Sequence, residues 1–282
     1  MSNNLTVEVF KGQEASVNSY LFSNGTSLMV MDVLRNTEEA KALGDFISAK
    51  GLPLTHIFIT HGHPDHYIGM DHLKKRFPDA AIVVASEEVK QDIIGFSTWM
   101  ESVGWLEGEP HLKPKSASNP NGFDYQGQIQ VLNQSTFPLE GGGILEITTD
   151  YRAAEAEHLT TVYAPELNVL FTSDFCYNGV HLWLGPGVDA AHIENWKTEL
   201  NHFKAKFTAA DLKVYPGHGT SSDIVLFDEV LNYLSAFEDT IARSTSREEA
   251  FAAMQSLYPD WQQADFLLQF SVDHHMGLKE SK

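Results

Sequence analysis

Apolar and polar residues alternate along LTVEVF near the N-terminus, and the same two-residue period flanks Asn24-Gly25 in SYLFSNGTSLMVMDV. Alternation puts every second side chain on one face of an extended strand, and Asn-Gly supplies the positive φ of a tight turn. The chain is therefore predicted to open with a β-hairpin. From Thr37 to Lys50 the period lengthens. A cap-like Thr, early glutamates, Leu43, Phe46 and Ile47 on one face, and a closing Gly51 predict a helix. THIFIT then reads as a short strand, and Met70, Leu73 and Phe77 carry a helical period. AAIVVA is a buried-strand run.

The second half repeats this logic with GQIQVL, GILEITT, TTVYA and NVLFTSD as strands. Ile193, Trp196, Leu200, Phe203 and Phe207 are spaced three, four, three and four apart, which predicts an amphipathic helix over 189 to 207. LKVYPGHG is a final strand and turn. The tail from Ser222 reads as two or three helices, one opening with the capping box SREE. Between the halves, residues 95–126 predict a helix followed by a mobile excursion through LKPKSASNPNG, and Trp99 and Trp105 tilt it toward a lid.

With 43% hydrophobic and 20% charged residues, the chain can bury a sizeable core. Its net charge of −19 disfavours phosphate backbones and anionic lipid surfaces, so neither nucleic acid nor membrane is an expected partner. A single cysteine, Cys176, rules out an intrachain disulfide and a cysteine-only metal site. MSNNLTVEVF has no basic leader or apolar segment of signal length, which makes the cytoplasm the default location.

The chemistry concentrates in ITHGHPDHYIG, directly after the THIFIT strand, at the strand end where open α/β layers hold their sites. Neutral imidazoles and carboxylates are good ligands for zinc-like ions when three or four converge. H-x-H-x-D-H offers His61 and His63 to one ion, with Asp65 and His66 facing a second. Gly62 and Pro64 between them argue for a loop rather than a regular helix or strand. Further ligands have to come from other strand ends, where His158 in AEAEHLTT, Asp174 in LFTSDF and His218 in YPGHG stand.

That ordered set, His61-Gly-His63-Pro-Asp65-His66, then His158, Asp174 and His218, resembles the metallo-β-lactamase superfamily, from VNSYLF and Asp32 in MVMDV through PGHG. The resemblance implies an α/β fold, a four-layer αβ/βα sandwich with a helical C-terminal extension. The catalytic domain would span 1–245, with the 95–126 segment inserted and the extension at 246–282. It implies two divalent metal ions, zinc first and iron or manganese as alternatives. His61, His63 and His158 would hold one, Asp65, His66 and His218 the other, and Asp174 would bridge them. Asp32 would support the metal loop from behind the ligands, and Asp65 would orient a hydroxide bridging the ions. EHLTT departs from the family's usual Gly-rich stretch around the third histidine.

Asp rather than Cys or Ser at position 174 is typical of glyoxalase II-like, lactonase-like and phosphodiesterase-like members. The expected activity is hydrolysis of a small ester, lactone or thioester, in an enzyme whose partner is a small molecule and whose assembly could be a homodimer. Alternatives are a β-lactam hydrolase, an iron enzyme like the persulfide dioxygenases, and a metal-stabilised binding protein without catalysis. Cys176 is a weaker ligand candidate than Asp174. Tyr67, Trp99, Trp105, Phe175, Tyr177 and Trp183 are candidate walls of an apolar pocket. His72, His192, His202 and the other histidines outside the motifs are expected on surfaces, and His274-His275 on a solvated tail.

Overall fold

In the computed structural model, which describes residues 5–139 and 142–281, the predicted hairpin is β2 (Asn18–Ser23) against β3 (Leu28–Met31). Gly25 takes φ +79°, and Asn24 Oδ1 accepts from the amides of Thr26 and Ser27, so the turn is a four-residue loop closed by its own side chain. The strand β1 (Thr6–Lys11) pairs antiparallel with β2 and forms the sheet edge. The chain divides into two units. One runs to Thr149 and includes Thr160–Leu167; the other comprises Asp150–Leu159 and the chain from Asn168 on.

The first unit is built on a six-stranded sheet in the order β1-β2-β3-β4-β5-β6, with β4 (Leu54–Ile59), β5 (Ala81–Val84) and β6 (Ile129–Val131) joined in parallel to β3. Parallel neighbours need crossover connections. These are α1 (Thr37–Ser48) between β3 and β4, α2 (Pro64–Tyr67) and α3 (Met70–Arg76) between β4 and β5, and α4 (Glu87–Ser102) and α5 (Tyr125–Gln128) before β6. Val30, Ile57, Ile59, Ile82 and Val84 bury one sheet face against Leu43, Ile47, Leu73, Val89 and Ile93. The α1 cap is Asn36 rather than Thr37, because the Asn36 side-chain Oδ1 accepts from the Glu39 amide at 2.9 Å.

The segment expected as helix plus excursion starts inside α4, whose cap is Ser86. Beyond α4 the chain turns repeatedly, yet Leu106, Leu112, Phe123 and Tyr125 bury in the same core, and Tyr125 donates its hydroxyl to Leu112 O at 2.8 Å. Three further strands complete the unit: β7 (Thr136–Pro138), β8 (Ile144–Thr148) and β9 (Thr161–Ala164), paired antiparallel as β7/β8 and β8/β9. At three residues ending in Pro138, β7 is too short to show a period.

In the second unit β10 (Val169–Asn178) and β11 (Lys213–Gly219) pair in parallel around the crossover helix α6 (Ala190–Lys206). Asp189 caps α6, accepting from the amides of Ala191 and His192, and Trp196 on its apolar face donates its indole N–H to Phe175 O at 2.9 Å. The tail is helical as expected. It consists of α7 (Val225–Arg243), α8 (Arg247–Leu257, capped by Ser246), a π-helical turn at Ala264–Leu268, and α9 (Gln269–Glu280). Among the described residues no helix is long and apolar enough to cross a membrane.

Two surface expectations are overturned: His274 and His275 are half-buried on α9 rather than on a solvated tail, and His181 leaves the surface altogether. His181 is fully buried, with its Nδ1 2.8 Å from the Tyr233 hydroxyl and its ring among Tyr233, Tyr258 and Trp261. The segment that would have left it exposed is strapped down by the bridge Val180↔Gln262. Burial pushes the His181 imidazole down to about 4. His275, beside Phe237, is likewise held at about 4, by burial first and then by the neighbouring His274. An unfolded histidine titrates near 6.5, so on acidification the unfolded chain takes up these protons first. The stability they carry is complete above about pH 6.5 and is lost as pH falls toward 4. Thermal melts across that window should show a falling Tm, and His181→Gln, which keeps an acceptor for Tyr233 but cannot titrate, should flatten part of the slope. An unchanged slope in that variant would assign the acid sensitivity elsewhere.

Candidate functional site

The strand β4 delivers the chain to Thr60 and His61, and the next four residues must turn sharply. Gly62 is required there: a Cβ on it would lie 2.6 Å from the Asp92 Cβ of α4. Pro64, expected to exclude a helix, instead opens one as the first residue of α2, where its missing N–H costs nothing and its fixed φ suits the helix. That single turn sets Asp65 and His66 on consecutive helical positions.

Behind the loop stands Asp32, fully buried, in the left-handed backbone region at φ +58°. This conformation is uncommon for a residue with a side chain, and it turns the carboxylate back toward the end of β4. Asp32 Oδ1 accepts from the Thr60 amide at 2.9 Å, and Oδ2 accepts from the Thr60 hydroxyl at 2.9 Å and from His66 Nδ1 at 2.8 Å. The Thr60 hydroxyl has one hydrogen and gives it to Asp32. Its contact with His61 Nδ1, at 3.0 Å, is therefore one in which His61 donates. Both imidazoles carry their proton on Nδ1, and both present the Nε2 lone pair. This is the tautomer a metal ligand needs, set by a hydrogen bond to the other ring nitrogen. The loop is also held by the Val33 amide on His66 O at 2.8 Å, and by Gly69, where a Cβ would meet Val33 O at 1.9 Å.

The donors of this loop are close together. The His61 and His66 rings lie 4.2 Å apart and those of His61 and His63 4.9 Å apart; one ligand nitrogen of His61 is within 4.8 Å of one of His63. Asp65 Oδ2 is 4.0 Å from His66 Nε2. His61 and His66 are buried, His63 and Asp65 half-buried. Next to them an aromatic row leads outward: His63 to Phe96 at 6.1 Å, Phe96 to Trp99 at 5.2 Å, and Trp99 to Trp105 at 4.8 Å between ring centroids. Trp99 and Trp105 end that row 44% and 59% exposed.

The second unit has its own donor group. Asp174 sits on β10 and His218 on β11, both buried, with His218 Nε2 3.1 Å from Asp174 Oδ2. Two ligands on one tetrahedral ion with bonds of about 2.0–2.1 Å stand about 3.3 Å apart, so this spacing suits a shared cation. Gly217 makes room for it, because a Cβ there would lie 1.8 Å from Asp174 Oδ1. The Tyr177 hydroxyl is 2.9 Å from Asp174 Oδ2 and 3.2 Å from Glu155 Oε1, and its ring stacks on His218 at 4.3 Å with 3° between planes. Glu155 is buried too, with a carboxylate oxygen within 4.8 Å of one of Asp174. Donor type, burial and the glycine-lined space fit divalent metal ions in both groups.

Of the remaining candidates, His158 is half-buried, three residues beyond Glu155. Glu155 escaped the sequence reading because AEAEHLTT offers two glutamates without distinction. Only the fold buries Glu155 while leaving Glu157 exposed beside His192. Tyr67 and Phe175 are core residues. Tyr67 bonds Ser97 at 2.8 Å, and burial raises its phenol well above 10; Phe175 packs on Tyr151 and Phe203. Trp183 is half-buried against Phe270. Burial pushes the Cys176 thiol up to about 12, and among the described residues Cys176 is in neither donor group.

A family model described as the metallo-beta-lactamase superfamily matches residues 12–218. Solved structures with the same fold include a metallo-beta-lactamase from Pontibacter korlensis, at 16% identity and TM-score 0.55 over 82% of this chain and 94% of that one. Others are the BLEG-1 B3 metallo-beta-lactamase, at 16% and 0.60 over 82% and 100%, and the DIM-1 metallo-beta-lactamase, at 15% and 0.55 over 83% and 94%. No curated protein matches the chain. The fold is the mixed α/β arrangement of two sheets and helices expected from the resemblance, with a helical C-terminal part.

Asp32→Ala would strip the Thr60 amide, the Thr60 hydroxyl and His66 of one shared buried acceptor. The expected loss is roughly 3 kcal/mol of folding stability, since each abandoned buried donor costs on the order of 1–3 kcal/mol. Urea denaturation of the metal-stripped protein measures it, and a loss under about 1 kcal/mol would mean that the network does not organise the loop.

Proposed function

The chain belongs to the metallo-beta-lactamase superfamily, a group of metal-dependent hydrolases, and on that premise we propose that it hydrolyses a small ester, lactone or thioester. The observation that carries the reading is the Asp32–Thr60 network, which fixes the proton of His61 and of His66 on Nδ1 and so prepares two Nε2 ligands on one loop. Two divalent ions when bound, zinc first and iron or manganese as alternatives, would polarise the scissile carbonyl and lower the pKa of a water. His61, His63, Asp65 and His66 from the loop, with His158, Asp174 and His218, are the proposed holders, as the family resemblance implies.

Asp65, half-buried and 4.0 Å from His66 Nε2, is placed to orient the attacking water and accept its proton. Asp32 keeps the loop from relaxing during turnover. The row His63, Phe96, Trp99, Trp105 supplies an apolar wall beside the loop, and we assign the 95–126 segment the role of covering it. Asp at position 174 favours ester-type substrates. The neighbours named as metallo-beta-lactamases favour β-lactam amides as the second reading.

Metal quantification followed by assay against lactones, thioesters, β-lactams and phosphodiesters tests both. The expected outcome is two divalent ions per chain, turnover of esters, lactones or thioesters, and loss of at least a hundredfold in kcat/KM in His61→Ala and Asp65→Ala, about 3 kcal/mol of transition-state stabilisation. Turnover confined to β-lactams would move the assignment to the second reading. A single iron with oxygen uptake, or no metal at all, would remove the hydrolase reading.

A further inference from the structure

We infer that Glu155, rather than His158, is the residue that joins Asp174 in holding metal, with Tyr177 as the residue that positions the two carboxylates. The inference rests on the proposed hydrolase reading only in taking the chain to hold a metal.

Three observations within the second unit carry it. Glu155 and Asp174 are 2% and 1% exposed, and their carboxylate oxygens come within 4.8 Å of each other. Two buried carboxylates that close offer hard oxygen donors to one divalent cation, which would offset both their mutual repulsion and the cost of taking them from water. Tyr177 touches both, 3.2 Å from Glu155 Oε1 and 2.9 Å from Asp174 Oδ2. A phenol has one hydrogen, so it can donate to only one of these oxygens at a time and cannot neutralise either. Its ring is fixed against His218 at 4.3 Å, which ties Glu155 into the Asp174–His218 group instead of leaving it as an isolated buried acid. Among the described residues His158 is not one of those whose ligand atoms gather with Asp174. It lies three residues further along the chain, half-buried.

A carboxylate in place of an imidazole makes the donor group harder and richer in oxygen, which shifts preference from zinc toward manganese or iron(II). The test uses full-length Glu155→Gln, His158→Gln and Tyr177→Phe, compared with wild type by metal quantification, chelator competition with zinc and manganese, and the visible spectrum of the cobalt-loaded protein. Glu155→Gln should lose one ion per chain or bind it at least tenfold more weakly, with a changed cobalt spectrum. His158→Gln should match wild type in both. Tyr177→Phe should change the cobalt spectrum while leaving the Tm of the metal-free protein within a few degrees. Glu155→Asp, which keeps the charge on a shorter stem, should fall between wild type and Gln, and it serves if the Gln variant does not fold. Wild-type metal content, affinity and spectrum in Glu155→Gln, or their loss in His158→Gln, would overturn the inference and leave the hydrolase reading standing. Wild-type protein that takes up no metal would overturn both.

Discussion

A single buried carboxylate organises the chemistry of the first unit. Asp32 gathers the Thr60 amide, the Thr60 hydroxyl and the His66 imidazole, and through the hydroxyl it reaches His61. Its reach depends on a backbone in the left-handed region, stored strain that the surrounding strand ends over-determine. Hydrogen bonds to a buried charge are stronger than those between neutral groups, so this one residue can offset both its own conformational cost and its removal from water. The consequence is chemical as much as structural: the proton positions on two imidazoles are fixed before any ligand arrives.

The second unit solves a related problem with different means. There the acids Asp174 and Glu155 face a phenol and an imidazole, and glycine replaces bulk wherever the backbone closes on them. At Gly217 and Gly219 a Cβ would come within 1.9 Å of a neighbouring oxygen, and Gly219 also carries φ +87°, so PGHG is a steric requirement of the strand end as well as a ligand motif. The same economy shows in the first unit at Gly62 and Gly69. In the first unit the side chains that carry chemistry follow the end of β4, whereas in the second Asp174 lies within β10, which continues to Asn178 instead of ending at the aspartate as the sequence suggested.

Charge separates the two surfaces the chain presents. The chain carries a net charge of −19, whereas His61, His66, Asp174 and His218 are buried and the exposed aromatic side chains of Trp99 and Trp105 are uncharged. An acidic exterior repels polyanions at long range, which the uncharged Trp99 and Trp105 do not.

Much of this was legible in the residues themselves. The hairpin at Asn24-Gly25, α6, β4 and the loop after it, and the order of His61, His63, Asp65, His66, Asp174 and His218 all follow from period, turn chemistry and donor type, which are local properties of the chain. Local reading failed where partners distant in sequence decide the outcome. Pro64 could be read as a breaker or as the first residue of a helix, and only the surrounding packing chose the second. His181 looked like any polar residue near a strand end until the strap at Gln262 closed over it. Glu155 and Glu157 are indistinguishable in AEAEHLTT, and the difference between a buried acid beside Asp174 and an exposed one beside His192 exists only once β10 and α6 are in place. Sequence determined which groups were available and where the backbone would turn; tertiary structure decided which were taken out of water, because burial is a property of neighbours and not of the residue.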